Sequence, residues 1–215
     1  KTPEEIVEPA IEGAKNIFAA AHKAGIKRVV YTSSIASIGF SYDRNKLLTG
    51  NDWNQDAHNH YYIAKTQSEK AAQELARKYD IHLVVICPAI VMGAFDYRIT
   101  PSNQIVMDWI NGSGQTYIGG MNVVDVRDVA YLHVEALTEP KAANQRFIAT
   151  EKIGRSFQSI CQLLIDNGYK GPSTKLAPNF MLKLLSIFDR EAKGMLAMLD
   201  MNLSADNSKT MEVFN

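Results

Sequence analysis

The sequence predicts an α/β fold built on a doubly wound parallel β-sheet. Helix-like and strand-like segments alternate along the chain, and such alternation is typical of parallel strands joined by helical crossovers. The strand-like segments are short apolar and β-branched runs, which is the composition of parallel strands that helices cover on both faces. The chain has 215 residues, of which 46% are hydrophobic, so it can bury a sizeable core around such a sheet.

The first four elements establish this alternation. Residues 4–21 carry apolar side chains at helical spacing and predict an amphipathic helix. Residues 27–32 form a β-branched run that predicts a buried strand. A second helix is predicted over residues 61–79 and a second strand over residues 81–87, which Pro88 ends. Helix, strand, helix and strand in this order predict parallel neighbours in one sheet.

The middle of the chain predicts loops, a capped helix and a further strand. Residues 93–122 are rich in glycine and predict an insertion of substrate loops, with one helix near residues 103–110. Asp125 is suited to cap a helix that reaches about residue 137, because Asp128 falls at the third helical position. Residues 145–149 then predict a strand.

This pattern divides the chain into two regions. We expect residues 1–150 to form the sheet domain and residues 151–215 to form a smaller, mainly helical substrate or lid region. Within the second region, residues 180–188 predict an apolar helix that is too short to span a membrane.

Composition and charge narrow the classes of partner. Lys and Arg total 23, as do Asp and Glu, so no net charge favours nucleic acid or an anionic membrane, and the expected substrate is a small molecule. The two cysteines, Cys87 and Cys161, have no paired metal-ligand spacing and favour a reduced, cytoplasmic setting. His58 and His60 form the one close histidine pair, and we expect no metal site.

Tyr61 and Lys65 form a candidate proton-transfer pair. They are four residues apart on a predicted helix, so the phenol and the ammonium lie on one face, one turn apart. Free tyrosine titrates near pH ~10, so a tyrosine that exchanges protons at neutral pH needs a nearby cation. Such pairs also arise by chance on helices, where the alternative is a surface tyrosine beside a solvated lysine.

Ser34 is the candidate for binding a substrate oxygen. It follows the predicted strand of residues 27–32, and the carboxyl end of a parallel strand opens onto the ligand crevice of a doubly wound sheet. A hydroxyl there can hold a carbonyl oxygen. The alternative is a serine-rich turn that caps its own backbone.

Four ordered blocks resemble the extended short-chain dehydrogenase/reductase superfamily, also described as the NAD-dependent epimerase/dehydratase superfamily. They are residues 25–34 (GIKRVVYTSS), 61–70 (YYIAKTQSEK), 87–93 (CPAIVMG) and 124–130 (VDVRDVA). Residues 51–54 (NDWN) are similar to the dihydroflavonol-reductase-like branch, and the resemblance covers about residues 11–150. It implies a Rossmann-type fold and an oxidoreductase that reduces a ketone or aldehyde, or oxidises an alcohol, by hydride transfer.

The resemblance also implies the site. Ser34 matches the family's substrate-polarising serine, Tyr61 its general acid/base, and Lys65 the residue that favours the phenolate and bonds the nicotinamide ribose. The expected cofactor contacts are Thr32, Tyr61, Lys65, Pro88, Ile90 and Val91, and the expected substrate contacts are Ser34, Ala36 and Tyr61.

The expected cofactor is NADP or NAD, with NADP favoured by the resemblance alone. No glycine-rich phosphate-binding turn of the form G-x-G-x-x-G or G-x-x-G-x-x-G occurs in the 215 residues, so we expect a fragment that lacks the first βα units. A homodimer through the helices of residues 4–21 and 61–79 is also expected from the resemblance.

Two alternatives stay open at this stage. A nucleotide-sugar epimerase or dehydratase of the same superfamily is disfavoured, because Ile35 and Ala36 stand where dehydratases carry an acidic pair and residues 37–39 are not the epimerase Val-Tyr-Gly. A non-catalytic nucleotide-sensing protein of this fold would usually lose the tyrosine or the lysine, and this chain keeps both.

Overall fold

A computed structural model describes residues 3–43, 45–56, 58–95, 97–151, 154–178, 180, 183–184, 186–187 and 204–214. The helices are α1 (Pro3–Lys23), α2 (Ile35–Ile38), α3 (His60–Tyr79), α4 (Pro101–Ile110), α5 (Val126–Glu135), α6 (Phe157–Asp166) and α7 (Ser208–Phe214). The strands are β1 (Arg28–Thr32), β2 (His82–Pro88), β3 (Ile90–Met92), β4 (Gly120–Met121), β5 (Val123–Asp125), β6 (Gln145–Ala149) and β7 (Arg155–Ser156). Within these residues, no helix has both the length and the apolar character needed to cross a membrane.

A three-stranded parallel sheet in the order β1–β2–β6 forms the centre of the fold. Strand β2 lies in the middle and is buried from Leu83 to Pro88. Parallel neighbours require a crossover connection, and helices α3 and α5 lie on the two connections between these strands. The predicted α/β fold with a parallel sheet is therefore confirmed.

The two faces of this sheet are covered by different helices. Successive residues of a strand point to opposite faces. Leu83 and Val85 pack in a core with Phe18 of α1 and with α3. Val84 and Ile86 pack in a second core with α5 and α7. Since helices cover both faces, the sheet is doubly wound, and each large apolar side chain buried this way contributes about 1.5–3 kcal/mol.

Local capping explains where two helices begin. Helix α3 starts one residue earlier than predicted, because the Asn59 side chain accepts hydrogen bonds from the backbone N–H groups of Tyr61 and Tyr62. The cap predicted at Asp125 is confirmed, since its carboxylate accepts from the Arg127 backbone N–H at 2.8 Å. The helix it caps ends at Glu135, and residues 136–138 continue as a turn.

The chain differs from the sequence prediction at Pro88. This proline is the last residue of β2, and after Ala89 the chain resumes as β3, which pairs in parallel with β5. The paired strand β6, in contrast, has the predicted bounds of residues 145–149.

Strand β7 and helix α7 both connect the predicted second region with the first. Strand β7 pairs antiparallel with β4 inside the loop-rich insertion. Helix α7 returns to the sheet, where Phe214 lies edge-on to Phe147 with ring centroids 4.8 Å apart. The division at residue 150 stays a prediction, and most of the apolar helix predicted at residues 180–188 lies outside the described residues.

Candidate active site

The carboxyl end of β1 carries Ser34. The backbone N–H of Ser33 donates to the Ile86 carbonyl at 2.8 Å and extends the pairing with β2 by one residue. Ser34 then takes an extended conformation and caps α2, with its Oγ accepting from the Ala36 N–H at 3.1 Å. Among the described residues, the Ser34 hydroxyl donates to no acceptor. Ser34 therefore caps its own turn, as the alternative prediction held, and still has a proton to donate.

The first turn of α3 carries Tyr61. Because α3 connects the carboxyl end of β1 to the amino end of β2, its first turn lies at the same edge of the sheet as Ser34. Helix α2 also packs against α3. The Tyr61 side chain is 50% exposed, so its ring is available to a ligand in a crevice at this edge.

Lys65 lies one turn further along α3. Its Nζ is 6.0 Å from the centroid of the Tyr61 ring, within the range of a cation–π contact. Among the residues that the structure describes, no carboxylate pairs with this ammonium. The backbone of α3 at Lys65 is connected to β1 by two hydrogen bonds. Tyr31 Oη of β1 donates to Ser68 Oγ, and Ser68 Oγ donates to the Lys65 carbonyl.

Tyr62 is the adjacent phenol and is less suited to proton exchange. Burial raises its pKa above the ordinary value, and the charges of Tyr61 and Asp56 add to that rise. A phenol held in its neutral form cannot readily serve as a base near neutral pH. The i, i+4 spacing and the cation–π contact favour Tyr61 instead.

Three predicted cofactor contacts lie on β2 and β3 beside Ser34. Pro88 is buried at the end of β2, and Ile90 and Val91 are half-buried in β3. The backbone here is fixed on both sides, because Ala89 N–H donates to the Ala149 carbonyl and Ile90 N–H donates to the Asn122 carbonyl. This segment is a rigid wall at the carboxyl edge of the sheet.

Thr32 and Ala36 are the two remaining predicted contacts, and the polar group of each is hydrogen-bonded within the protein. Thr32 is exposed at the end of β1, and its Oγ1 lies 2.7 Å from His133 Nε2, while His133 Nδ1 lies 2.7 Å from the Val129 carbonyl. Because a carbonyl only accepts, Nδ1 carries a proton, and in the neutral ring Nε2 then accepts from Thr32. The Ala36 side chain is buried, and its N–H is bonded to Ser34.

A buried ion pair behind Ser34 was missed by the sequence analysis. Glu69 on α3 is fully buried, and Arg146 Nε lies 2.5 Å from its Oε1. The signals were a carboxylate on the buried face of a helix, four residues after Lys65, and a lone arginine in the apolar strand β6. Neither signal identifies the other residue as its partner.

The predicted residues thus fall on one edge of the sheet, but two cavities lie elsewhere. One, of about 500 Å³, lies between the end of α3 and β6, and another, of about 330 Å³, lies between α5 and α7. Ser34, Tyr61 and Lys65 line neither cavity. That the three side chains converge on a single crevice stays a prediction.

Comparisons with known proteins agree with this arrangement of elements. The model of the NAD dependent epimerase/dehydratase family matches residues 1–149. Cinnamoyl-CoA reductase 2 from Arabidopsis thaliana is 35% identical over 162 residues, which are 71% of this chain and 49% of that protein. A putative dihydroflavonol 4-reductase from Synechocystis is 32% identical over 150 residues, which are 68% and 43% of the two chains. The chain spans about half the length of the curated relatives it matches.

A solved structure is similar over nearly the whole chain. The crystal structure of Gre2 in complex with NADPH from Candida albicans has a TM-score of 0.72 and 26% identity, covering 99% of this chain and 66% of that one. The family and the Rossmann-type fold predicted from the sequence are confirmed.

Proposed function

This chain belongs to the NAD dependent epimerase/dehydratase family, and we propose that it acts as a nicotinamide-dependent reductase of a ketone or aldehyde, and in reverse as an alcohol dehydrogenase. The observation that carries the proposal is that Tyr61 and Lys65 occupy successive turns at the start of α3, at the sheet edge where Ser34 keeps a free hydroxyl proton. The relatives include a cinnamoyl-CoA reductase and a putative dihydroflavonol reductase.

In this proposal three side chains divide the work on the substrate oxygen. Ser34 Oγ donates a hydrogen bond to the carbonyl oxygen and stabilises the negative charge that develops there. Tyr61 Oη gives its proton to that oxygen as the alcohol forms. The Lys65 ammonium, one turn away, favours the phenolate that is left.

The residues present fit a nicotinamide cofactor. When bound, the cofactor supplies the hydride that the carbonyl carbon receives. The Lys65 ammonium has three donors and, among the described residues, no carboxylate partner, so it suits the hydroxyls of a ribose. The fixed backbone from Pro88 to Val91 offers a mainly apolar wall for a flat ring. Since a solved relative is a complex with NADPH, we propose NADP as the first cofactor to test and NAD as the second.

An epimerase or dehydratase is the less favoured function. The resemblance to the superfamily implies that a dehydratase would carry an acidic pair just after the strand-end hydroxyl, and apolar Ile35 and Ala36 stand there. No charged side chain of α2 can take that role, because this helix consists of Ile, Ala, Ser and Ile.

Steady-state kinetics of the full-length protein test the proposed function. Tyr61→Phe should lower kcat by about 10²- to 10⁴-fold with little change in the KM for NADPH, because a positioned acid contributes that much. Lys65→Ala should lower kcat and raise the cofactor KM, because it removes both the ammonium beside the Tyr61 ring and a hydrogen-bond donor to the ribose. Tyr131→Phe is the matched control, since Tyr131 is 52% exposed on α5 and should leave both constants unchanged. Unchanged rates in both site variants would exclude this function.

We also propose that the full-length protein forms a homodimer through α1 and α3. The two helices pack side by side, and Ile17 on α1 is 63% exposed, which leaves apolar surface for a second copy. Light scattering that finds only monomer at high protein concentration would contradict this.

A further inference from the structure

The ion pair between Glu69 and Arg146 is buried deep in the protein, yet it lies directly behind Ser34. Glu69 is fully buried and Arg146 is 9% exposed. Replacing a buried ion pair with apolar side chains of similar volume is often neutral or stabilising. Stability alone therefore does not account for two charges at this place.

The carboxylate of Glu69 holds the residues on both sides of Ser34. Ser33 Oγ donates to Glu69 Oε2 at 2.5 Å. Ser37 Oγ lies 2.6 Å from the same oxygen and 2.8 Å from the Ser34 carbonyl, and it gives its one proton to either acceptor. The turn that presents Ser34 is thus bonded to a single carboxylate at its start and at its end.

The guanidinium of Arg146 holds the loop that closes over this turn. Its Nη1 donates to the carbonyls of Gly50 and Asp52 at 2.7 and 2.8 Å, and its Cζ lies 3.8 Å from the centroid of the Trp53 ring. The Asn54 N–H then donates to the Ser37 carbonyl at 2.9 Å. Arg146 therefore connects the loop, α2 and the carboxylate in one network.

Helix α3 carries both Tyr61 and the carboxylate of Glu69. Tyr61, Lys65 and Glu69 follow one another at intervals of four residues along α3, so they share one side of the helix. We propose that Glu69 and Arg146 are positioning residues that fix the Ser34 hydroxyl relative to the Tyr61 hydroxyl. This inference rests on the proposed function, in which both hydroxyls bind one substrate oxygen. A displacement of about 1 Å in such a site can cost about 10²-fold in rate.

Ser37→Ala is the most direct test, because it removes only the hydroxyl that lies between Glu69 Oε2 and the Ser34 carbonyl. In the full-length enzyme we expect kcat to fall about tenfold, with the KM for NADPH changed by less than about twofold. The control is Thr210→Val, which removes another buried hydroxyl bonded to a main-chain carbonyl at 2.8 Å, that of Ile148, on the opposite face of the sheet. It should leave kcat unchanged.

A double-mutant cycle with Ser34→Ala shows whether the effect passes through Ser34. If it does, Ser37→Ala should cost less than about twofold in the Ser34→Ala background, because the group being positioned is gone. The same loss in both backgrounds, or no loss in either, overturns the inference while the proposed function stands. If Ser34→Ala and Tyr61→Phe both leave kcat unchanged, the proposed function fails and this inference fails with it.

A second variant separates positioning from stability. Replacing both charged residues, Glu69→Met with Arg146→Met, should lower the thermal midpoint less than Arg146→Met alone, because no charge is then left buried without its partner. Its kcat should still fall by about tenfold or more, because the carboxylate that bonds both Ser33 and Ser37 is gone. A well-folded double variant with wild-type kcat would overturn the proposal.

Discussion

The two faces of the central sheet are built from different interactions. On the α3 face, Arg146 and Glu69 form a bonded network behind the candidate site. On the α5 face, Phe147 and Phe214 belong to a core of mainly apolar side chains. Arg146 and Phe147 are consecutive residues of β6, so one strand supplies both. Apolar packing tolerates small shifts, whereas hydrogen bonds depend on distance and angle, and the directional interactions lie on the face that carries Ser34 and Tyr61.

The largest expected effect on stability comes from substituting the consecutive residues Arg146 and Phe147, one at a time. Arg146→Met and Phe147→Ala should each lower the free energy of unfolding by about 3–5 kcal/mol, the first by leaving Glu69 buried without its cation and the second by leaving a cavity. Urea unfolding of both variants and of the wild type measures the two losses. An Arg146→Met variant as stable as the wild type would contradict this expectation, because it would show that Glu69 needs no cation at its buried position.

A smaller effect is expected from two helix caps on different parts of the molecule. Asn59→Ala and Ser156→Ala each remove a cap, of α3 and of α6, and should each cost about 0.5–2 kcal/mol. Only Asn59→Ala should also lower kcat, because Asn59 Oδ1 accepts the backbone N–H of Tyr61. A kcat loss of similar size in both variants would contradict the assignment of Tyr61 to the site.

An effect of similar size, which appears only at high pH, is expected at Cys87, which lies at the edge of the polar network. Burial, with a further contribution from the charge of Glu69, raises the pKa of this thiol to about 12. The folded state therefore keeps the thiol proton while the unfolded chain loses it above pH ~8.5, and stability falls as the pH rises through that range.

Between pH 8 and 10 this loss should reach about 1–2 kcal/mol in wild type relative to Cys87→Ala, whose stability lacks this dependence. Denaturant unfolding at the two pH values gives the difference. Parallel curves for the two proteins would show that the thiol ionises as freely in the folded state as in the unfolded one.

Local patterns made most elements predictable from the sequence. The strand of residues 145–149 and the cap at Asp125 follow from composition and from neighbours within three residues. Tyr61 and Lys65 were predicted as a candidate pair from their spacing on one helix, and the resemblance to the family gave them their proposed roles.

The rest depends on residues that are distant in sequence. The four-residue helix α2 has no periodic signal of its own, and it is bonded at Ser37 to Glu69, which is 32 residues away. Glu69 and Arg146 are 77 residues apart, and they meet because β6 pairs with β2, the strand against which α3 packs. A pattern within one segment cannot specify such a pairing.

The sequence separation of Arg146 has a consequence for synthesis of the protein on the ribosome. Ser34, Tyr61, Lys65 and Glu69 all leave the exit tunnel long before Arg146 does, so the nascent chain holds every proposed catalytic group while the carboxylate behind them still lacks its cation. Domains generally fold as units during translation. The site should therefore reach its working geometry in one late step, when β6 joins the sheet.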